Sequence, residues 1–367
     1  VMRTIADGVR LLLTAFVLAA VFKSLNLADA AVSGSIVAIG LVMIIFTLIG
    51  GIEAIVWIEV AQLCIYIGGA IAASVVLAGQ IPGGLGGAID LGASFEKFRF
   101  LDFAFDLTKT YTFWSGVIGG AFLTMSTHGT DQYMVQRYLC TDRPQKASAA
   151  LLVSGVIVLL QFTFFLFIGV LLFGFYRPDR LAEYGAKMPA APFAATDQVF
   201  PDFITNHLPT GLAGLVVAAI FAAAMSSSLN SIAATVTSDL YAPLRKGRSD
   251  RHYLNVARVV TVIAGLVQIA VGIAMQHSGQ SALGIVLSIA SLINGPILGV
   301  FLLGWMRANA TRVAAFAGML TGLVVITFVW RATKIAWPWY TLIGSATTFA
   351  IGSVVALLNT QRMKDEG

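Results

Sequence analysis

A cluster of polar residues interrupts an apolar stretch of this sequence between residues 113 and 139. The cluster, residues 126–132, reads Ser-Thr-His-Gly-Thr-Asp-Gln, and Thr124 precedes it. A helix in lipid must satisfy its own backbone, and polar side chains are costly there, so such a cluster usually marks a place where a solute or an ion is handled. The alternative is a polar helix end at the membrane surface, but Thr124, Ser126 and Thr127 lie too deep for it. The pattern therefore predicts a transport site.

Three consecutive serines stand in a second apolar window, within the segment AAAMSSSLNS that begins at Ala222. Ser226, Ser227 and Ser228 lie beside small alanines, so that hydroxyl and carbonyl oxygens can approach one point. Neutral hard oxygens suit Na⁺ as they suit other hard cations. Serines in membrane helices also often bond back to the preceding turn or pack against a neighbour. On these residues alone, a sodium site and a structural role both remain open.

An acidic residue and a proline stand inside two further apolar windows. Glu59 lies in GGIEAIVWIEVAQ, about 9 Å along the helix from Glu53, and a carboxylate at that depth needs a partner or an aqueous path. Gln62 could supply one hydrogen bond, so a role in a cation path and a structural pair are both open. Pro296 removes one backbone hydrogen bond, and we expect it to kink its helix and expose the carbonyl of Leu292.

The composition assigns the chain to the membrane. It is 58% hydrophobic and only 11% charged, with a mean hydropathy of +0.86, which is typical of an all-α polytopic membrane protein. We interpret residues 1–367 as one transmembrane domain. About ten apolar windows are long enough to cross a hydrocarbon layer of about 30 Å. They are roughly 5–25, 31–50, 52–79, 113–138, 147–174, 210–240, 253–276, 281–305, 312–331 and 338–358.

The positions of glycine and proline residues lead to three further predictions. Small residues at helix-packing spacing predict close helix contacts in a tightly packed bundle. The pairs are Gly318 with Gly322, Gly116 with Gly120, and Gly69 with Ala73. The glycine-rich run from Ile81 to Gly92 lacks the lysine and serine or threonine of a phosphate loop, so we expect a flexible surface loop there. Prolines break a second long connection, 175–209, into short pieces that can include a small helix.

Basic residues set the predicted orientation. Alternate short loops are strongly basic, and by the positive-inside rule they face the cytoplasm. They carry Arg3; Arg137, Arg143 and Lys146; Arg245, Lys246, Arg248 and Arg251; Arg307 and Arg312; Arg362 and Lys364. Both termini are thus predicted cytoplasmic, in a multi-pass protein of the plasma membrane surrounded by its lipid bilayer. The net charge of +5 is spread through the loops and indicates no nucleic-acid partner. The oligomeric state is not readable.

Four segments together resemble the sodium/solute symporter family, which includes sodium-coupled carriers of glucose, proline, pantothenate, iodide and sialic acid. They are GGIEAIVWIEVAQ, TDQYMVQRYL, FAAAMSS followed by SLNSIAATVTSDLY, and GPILGVFLLG. The resemblance covers nearly the whole chain. It implies the leucine-transporter fold, with two inverted five-helix repeats and with sodium and substrate bound midway across at unwound helices. On that plan the first span resembles the third core helix, and we expect the first two core helices to be missing upstream of Val1.

The resemblance also implies the cation ligands. Ala223, Ser226 and Ser227 match the sodium ligands of the family's eighth core helix, the alanine through its carbonyl. Family members usually have a few more residues after this serine pair, so Ser227 with Ser228 is an alternative pair. Glu59 falls where the family commonly has an aspartate implicated in the cation path, and glutamate is longer by one methylene.

The substrate contacts implied by the resemblance lie on two other helices. Thr124 and Thr127 fall at substrate-contact positions of the sixth core helix, and Ser288 falls at one on the tenth. We therefore expect a sodium-coupled symporter that imports a small polar organic solute or an anion by alternating access, with Na⁺ as the coupling ion. The alternative is a membrane sensor or receptor that has kept the fold and binds solute without moving it. The sequence contains no HExxH or GxSxG motif and its four histidines are scattered, so we do not expect an enzyme.

Overall fold

The computed structural model describes residues 2–24, 32–49, 52–131, 134–135, 138, 141–176, 196–224, 228–276 and 282–365. These residues form helices and connecting segments, without a β-strand. The first six α-helices are α1 Met2–Ser24, α2 Val32–Ile49, α3 Ile52–Gln80, α4 Gly84–Ser94, α5 Gly120–Thr130 and α6 Pro144–Phe175. They are followed by α7 Val199–Asn206, α8 Thr210–Ala224, α9 Ser228–Thr235, α10 Asp250–Met275, α11 Ala282–Met306, α12 Arg312–Ala332 and α13 Tyr340–Asp365. The prediction of an all-α protein is confirmed.

Eight helices of the described part are long and apolar enough to cross a membrane. Their apolar segments are Thr4–Phe22, Val32–Ile49, Val60–Gln80, Pro144–Phe175, Asp250–Met275, Val286–Met306, Arg312–Ala332 and Trp337–Asn359. The two other predicted windows, 113–138 and 210–240, contain shorter pieces. The first holds a π-helix, Ser115–Gly119, that continues into α5. The second holds α8, α9 and a π-helix, Val236–Tyr241. These are the two windows that carry the polar clusters.

The prediction of a flexible loop over residues 81–92 was wrong. Gly83 and Gly84 make the turn with φ of 74° and 61°, which favour glycine, and α4 then begins at Gly84. Ala88 and Leu91 are completely buried, and Ala88 belongs to the same apolar cluster as Ile168. Burial of these side chains stabilises a helix that its glycines would disfavour. In the other long connection, α7 is the small helix that the prolines predicted.

Residues 3–98 and 153–282 form one compact unit. In this unit α2 packs on α10, α3 packs on α8, and α9 packs on α10. Close approaches occur at glycines: Gly69 of α3 lies directly against Val216 of α8, and Gly265 of α10 against Ile44 of α2. The predicted close contact at Gly69 is therefore confirmed.

Residues 99–152 and 283–367 form the second compact unit, in which α12 and α13 make the most extensive helix contact. Gly318 and Gly322 of α12 face the backbone and side chain of Thr348 in α13, as their spacing predicted. Gly116 and Gly120 are different, because a Cβ at either position would meet no atom of the described residues within 4 Å. The prediction of packing for this pair was wrong, and Gly119 instead lies against the carbonyl of Pro338.

Candidate functional site

Residues 126–130 of the polar cluster form the C-terminal end of α5. Ser126 is completely buried, whereas Thr127, His128 and Thr130 are half-buried. Thr127 and Thr130 each donate a hydroxyl hydrogen bond to the backbone carbonyl four residues earlier, at 2.8 Å in both cases. His128 lies 2.7 Å from the hydroxyl of Tyr138 through Nδ1. Most of these polar groups are thus bonded locally, as serine and threonine in membrane helices often are.

Ser126 departs from this local pattern, because its hydroxyl connects α5 to α11. It donates a hydrogen bond of 3.0 Å to the backbone carbonyl of Asn294, and this contact is buried. Asn294 is itself only 5% exposed and stands two residues before Pro296. A buried hydrogen bond in an apolar environment is expensive to leave unmade, so this contact fixes one face of α5 on α11.

The same part of α11 also approaches the backbone of α13 closely. A Cβ on Gly295 would lie 3.0 Å from the carbonyl oxygens of Tyr340 and Thr341, and one on Gly344 would lie 2.8 Å from the ring of Pro296. Thr341 donates a hydroxyl hydrogen bond of 3.4 Å to the carbonyl of Ser291. Pro296 is buried within a helix that continues from 282 to 306, and the kink that we expect there stays a prediction. We call the junction of α5, α11 and α13 around Asn294 the three-helix crossing.

Two buried hydroxyl groups at and beside this crossing have no hydrogen-bond partner in the described part of the chain. Ser291 is completely buried, and its hydroxyl has no partner among the residues that the structure describes. The same holds for the hydroxyl of Thr348 on α13. Buried polar groups are nearly always paired, and an exception needs an explanation such as bound water or a ligand. The crossing can therefore supply neutral hydroxyl and carbonyl groups to a polar molecule.

The predicted substrate contacts, Thr124, Thr127 and Ser288, all lie in this second compact unit. Thr124 is exposed on α5. Thr127 is half-buried one turn later, and its hydroxyl donates a hydrogen bond to the carbonyl of Leu123. Ser288 is half-buried on α11, one turn before the buried Ser291. The structure thus assigns these residues to the two helices that the Ser126 bond connects. Their role as substrate ligands stays a prediction.

The predicted cation ligands lie in the first unit and fall partly outside the described residues. Ala223 is the penultimate residue of α8, and α9 begins at Ser228, which is 3% exposed. Ser226 and Ser227 lie between these helices, outside the described residues. The backbone of Glu59 belongs to α3, and its side chain is likewise outside the description. The sodium assignments also stay predictions.

Sequence reasoning did not find the π-helical turns beside the two candidate regions. The π-helix Ser115–Gly119 precedes the polar cluster of α5, and the π-helix Val236–Tyr241 follows α9. In the second, Thr237 is buried and its hydroxyl has no partner in the described part of the chain. Single π-helical turns are rare and frequently occur at functional sites. Glycine and threonine clusters were the available signal, but they do not identify the helix type.

A buried carboxylate in α1 was also missed. Asp7 is 5% exposed within the apolar segment Thr4–Phe22. It lies 3.6 Å from Arg10 and accepts a hydrogen bond of 3.4 Å from the amide of Gln268 in α10. The signal was available, because aspartate and glutamine each stand in an apolar window, 261 residues apart.

The model of the sodium:solute symporter family matches residues 9–322, which is most of the chain and includes both candidate regions. The chain belongs to the sodium:solute symporter family. The resemblance inferred from the four sequence segments is confirmed.

Individual family members support the assignment. The sodium/sialic acid symporter of Aliivibrio fischeri is 31% identical over 87% of this chain, and that of Proteus mirabilis is 30% identical over 88%. This chain spans 62% and 65% of those two proteins, which is less than two thirds of either. The human sodium-coupled monocarboxylate transporter 1 is 30% identical over 83% of this chain and half of its own length. Each relative is named as a symporter or transporter, in agreement with the prediction that this symporter-family chain is not an enzyme.

A solved structure of a Na⁺-coupled sialic acid symporter confirms the fold. This substrate-bound outward-open structure, described as revealing a novel Na⁺ site, superposes with a TM-score of 0.78 at 28% identity. The match covers 97% of this chain and 72% of the solved chain. The chain described here thus has the leucine-transporter-like fold, in a multi-pass membrane protein.

Proposed function

We propose that the protein containing this chain is a sodium-coupled symporter that imports a small polar organic solute or an anion by alternating access. The observation that carries the proposal is the family match over residues 9–322, supported by the structural likeness to a Na⁺-coupled sialic acid symporter. Sodium can drive such uptake only by binding one state of the protein more tightly than the other. The membrane potential adds about 2.3 kcal/mol per charge per 100 mV.

The proposed cation site combines Ala223, Ser226 and Ser227 with Glu59. Its support is the contact between Gly69 of α3 and Val216 of α8. The predicted topology has these two spans cross the membrane in opposite directions. Ala223 stands seven residues after Val216, and Gln62 stands seven residues before Gly69. Because the two helices run in opposite directions, both positions lie about 10 Å from the contact on the same side of it, and therefore at the same depth in the membrane.

The two remaining members of the proposed site stand close to Ala223 and Gln62 in the sequence. The serine pair stands three and four residues after Ala223, and Glu59 stands three before Gln62. A carboxylate and several neutral oxygens form a suitable donor set for Na⁺, a hard cation that prefers oxygen ligands.

The proposed solute site uses Thr124 and Thr127 of α5 with Ser288 of α11. The three-helix crossing on the same helices offers the neutral hydroxyl of Ser291, which has no partner among the described residues, and that of Ser126, which can still accept a hydrogen bond. Such groups bind a polar solute by hydrogen bonds, and they can bind a carboxylate when helix ends contribute. The named relatives carry sialic acid and monocarboxylates, so organic acids are the first solutes to test.

The membrane orientation is part of the proposal. We place the protein in the plasma membrane with both termini of this chain in the cytoplasm, because its short basic loops alternate with less basic connections. In this orientation Na⁺ and solute enter from outside and are released inward.

Uptake of radiolabelled sialic acid and of a panel of monocarboxylates into proteoliposomes tests the proposal. The sample is the longest natural form of the protein, with an inward sodium gradient compared against an equal potassium gradient. Melting temperature in detergent, measured in the two salts, reports binding separately from transport. Ligand at a hundred times its dissociation constant should stabilise the folded state by about 2.7 kcal/mol. Equal uptake in sodium and potassium would rule out sodium coupling.

Single variants test the cation ligands. We expect Ser226→Ala, Ser227→Ala and Glu59→Gln each to remove the sodium-dependent shift in melting temperature, and Glu59→Asp to keep it because a carboxylate remains. Ser148→Ala, at an exposed serine of α6, is the matched control and should behave as wild type. A solute-dependent shift without any uptake would instead indicate the sensor alternative.

A further inference from the structure

Arg258 is a charged residue within a membrane-spanning helix. It lies eight residues after Asp250, about 12 Å along the axis of α10, inside the apolar segment Asp250–Met275. Its side chain is exposed, and within the described part of the chain it forms no ion pair with an acidic side chain. A charge on a helix surface in lipid is costly unless it reaches the interface or meets a counter-charge. Arg258 is therefore suited to bind an anion.

An apolar groove begins at Arg258. The groove has a volume of about 430 Å³ and is open at the protein surface. It is lined by Arg258, Val259, Val262 and Ile263 of α10 and by Leu48 of α2. Val259 and Ile263 are 58% and 56% exposed. Four aliphatic side chains and one guanidinium thus form a site with one charged position and an apolar remainder.

Further positive charge lies on the same side of α10. Arg251 precedes Arg258 by seven residues, which places it on the same helix face, and its side chain is exposed. Arg245, Lys246 and Arg248 are exposed in the short connection before the helix. Asp250 adjoins Arg251, but it stands eight residues, or more than two helical turns, before Arg258. The end of the groove that carries Arg258 therefore faces a cationic region.

We propose that this groove between α2 and α10 binds one anionic phospholipid, with its phosphate on Arg258 and an acyl chain along Val259, Val262 and Ile263. A guanidinium binds a phosphate through two parallel hydrogen bonds, which an ammonium group does not reproduce. Arg251 and the basic connection add long-range attraction for the anionic lipids of the cytoplasmic leaflet, the side where the positive-inside rule places them. An amphiphile with a single anionic head matches this distribution of charge and apolar surface.

Native mass spectrometry of the purified full protein, with phosphatidylglycerol titrated against phosphatidylcholine, tests this site. We expect one phosphatidylglycerol to bind preferentially, and Arg258→Gln to weaken that binding about tenfold, equivalent to about 1.4 kcal/mol. Arg258→Lys should show an intermediate loss because it keeps the charge but not the paired hydrogen bonds. Val262→Trp should also weaken binding, since the indole would fill the groove without changing the charge.

Two control variants distinguish lipid binding at the groove from general effects of side-chain charge and size. Arg307→Gln removes an exposed arginine elsewhere, and Val313→Trp enlarges a valine that is 65% exposed and does not line the groove. Both should bind phosphatidylglycerol as wild type does, and the melting temperature without added lipid verifies folding of every variant. Equal binding of the two lipids, or wild-type binding by both Arg258→Gln and Val262→Trp, would overturn the proposal. Full displacement of the lipid by inorganic phosphate would also overturn it, because it would indicate a site for a soluble anion.

Discussion

At the residue scale, Asp7 and Gln268 form a buried polar pair within two apolar helices. Gln268 is completely buried, and its amide oxygen has no hydrogen-bond partner among the described residues. Asp7 accepts from the amide nitrogen and pairs with Arg10, which is half-exposed. Removing one member of such a pair leaves the other unsatisfied, whereas replacing both with apolar groups can be nearly neutral.

A double-mutant cycle on this pair should therefore be strongly non-additive. We expect Asp7→Leu to lower the free energy of unfolding by about 1–3 kcal/mol, because the buried amide of Gln268 loses its acceptor. Asp7→Leu combined with Gln268→Leu should lose less than the sum of the single variants. Melting temperatures in detergent measure all three, and simple additivity would show that the two side chains do not interact.

Ser126 provides a second prediction at this scale. Ser126→Ala removes the buried hydrogen bond from α5 to the carbonyl of Asn294, and we expect a loss of about 0.5–1.5 kcal/mol of stability. Thr163→Val is the matched control, because its exposed hydroxyl bonds only to Leu159 of its own helix. Thermal unfolding of both variants measures the difference. A larger loss in Thr163→Val than in Ser126→Ala would contradict the importance of the connection between helices.

At the element scale, two glycine pairs with the same spacing have different surroundings. Gly318 and Gly322 lie where α12 contacts Thr348 of α13, whereas a Cβ on Gly116 or Gly120 would meet no described atom within 4 Å. The spacing alone does not distinguish them, since it identifies a strip of small residues but not a partner helix. Only the packing of α12 on α13 makes the first pair sterically necessary.

Alanine substitution should separate these pairs. Gly318→Ala and Gly322→Ala force Cβ atoms against the backbone or side chain of Thr348, so we expect both to destabilise the protein by about 1–3 kcal/mol. Gly120→Ala should be neutral or stabilise by up to about 1 kcal/mol, because alanine favours helix. Thermal unfolding in detergent measures the three variants. Equal destabilisation by all of them would contradict the contacts described.

At the scale of the whole molecule, the predicted orientation is open to direct measurement. In a variant with Cys64→Ala and Cys140→Ala, single cysteines at Ser249 and Lys109 report the two sides of the membrane. We expect an impermeant maleimide added outside intact cells to label Lys109→Cys, and to label Ser249→Cys only after the cells are opened. The basic connection at 245–251 predicts this pattern. External labelling of Ser249→Cys would reverse the topology.

The sequence by itself determined that this chain is a helical membrane protein of the sodium:solute symporter family. Long apolar windows can satisfy their backbone in lipid only as helices, and the four family segments are specific in combination. It did not determine the helix at 84–94, because burial of Ala88 and Leu91 outweighs the intrinsic cost of its glycines.

Only the tertiary structure decided which polar residues meet. The contacts of Ser126 with Asn294 and of Asp7 with Gln268 join residues 168 and 261 positions apart, and no local pattern encodes such pairs. Local sequence sets the cost of a polar group in lipid, whereas the arrangement of the helices decides which partner offsets it.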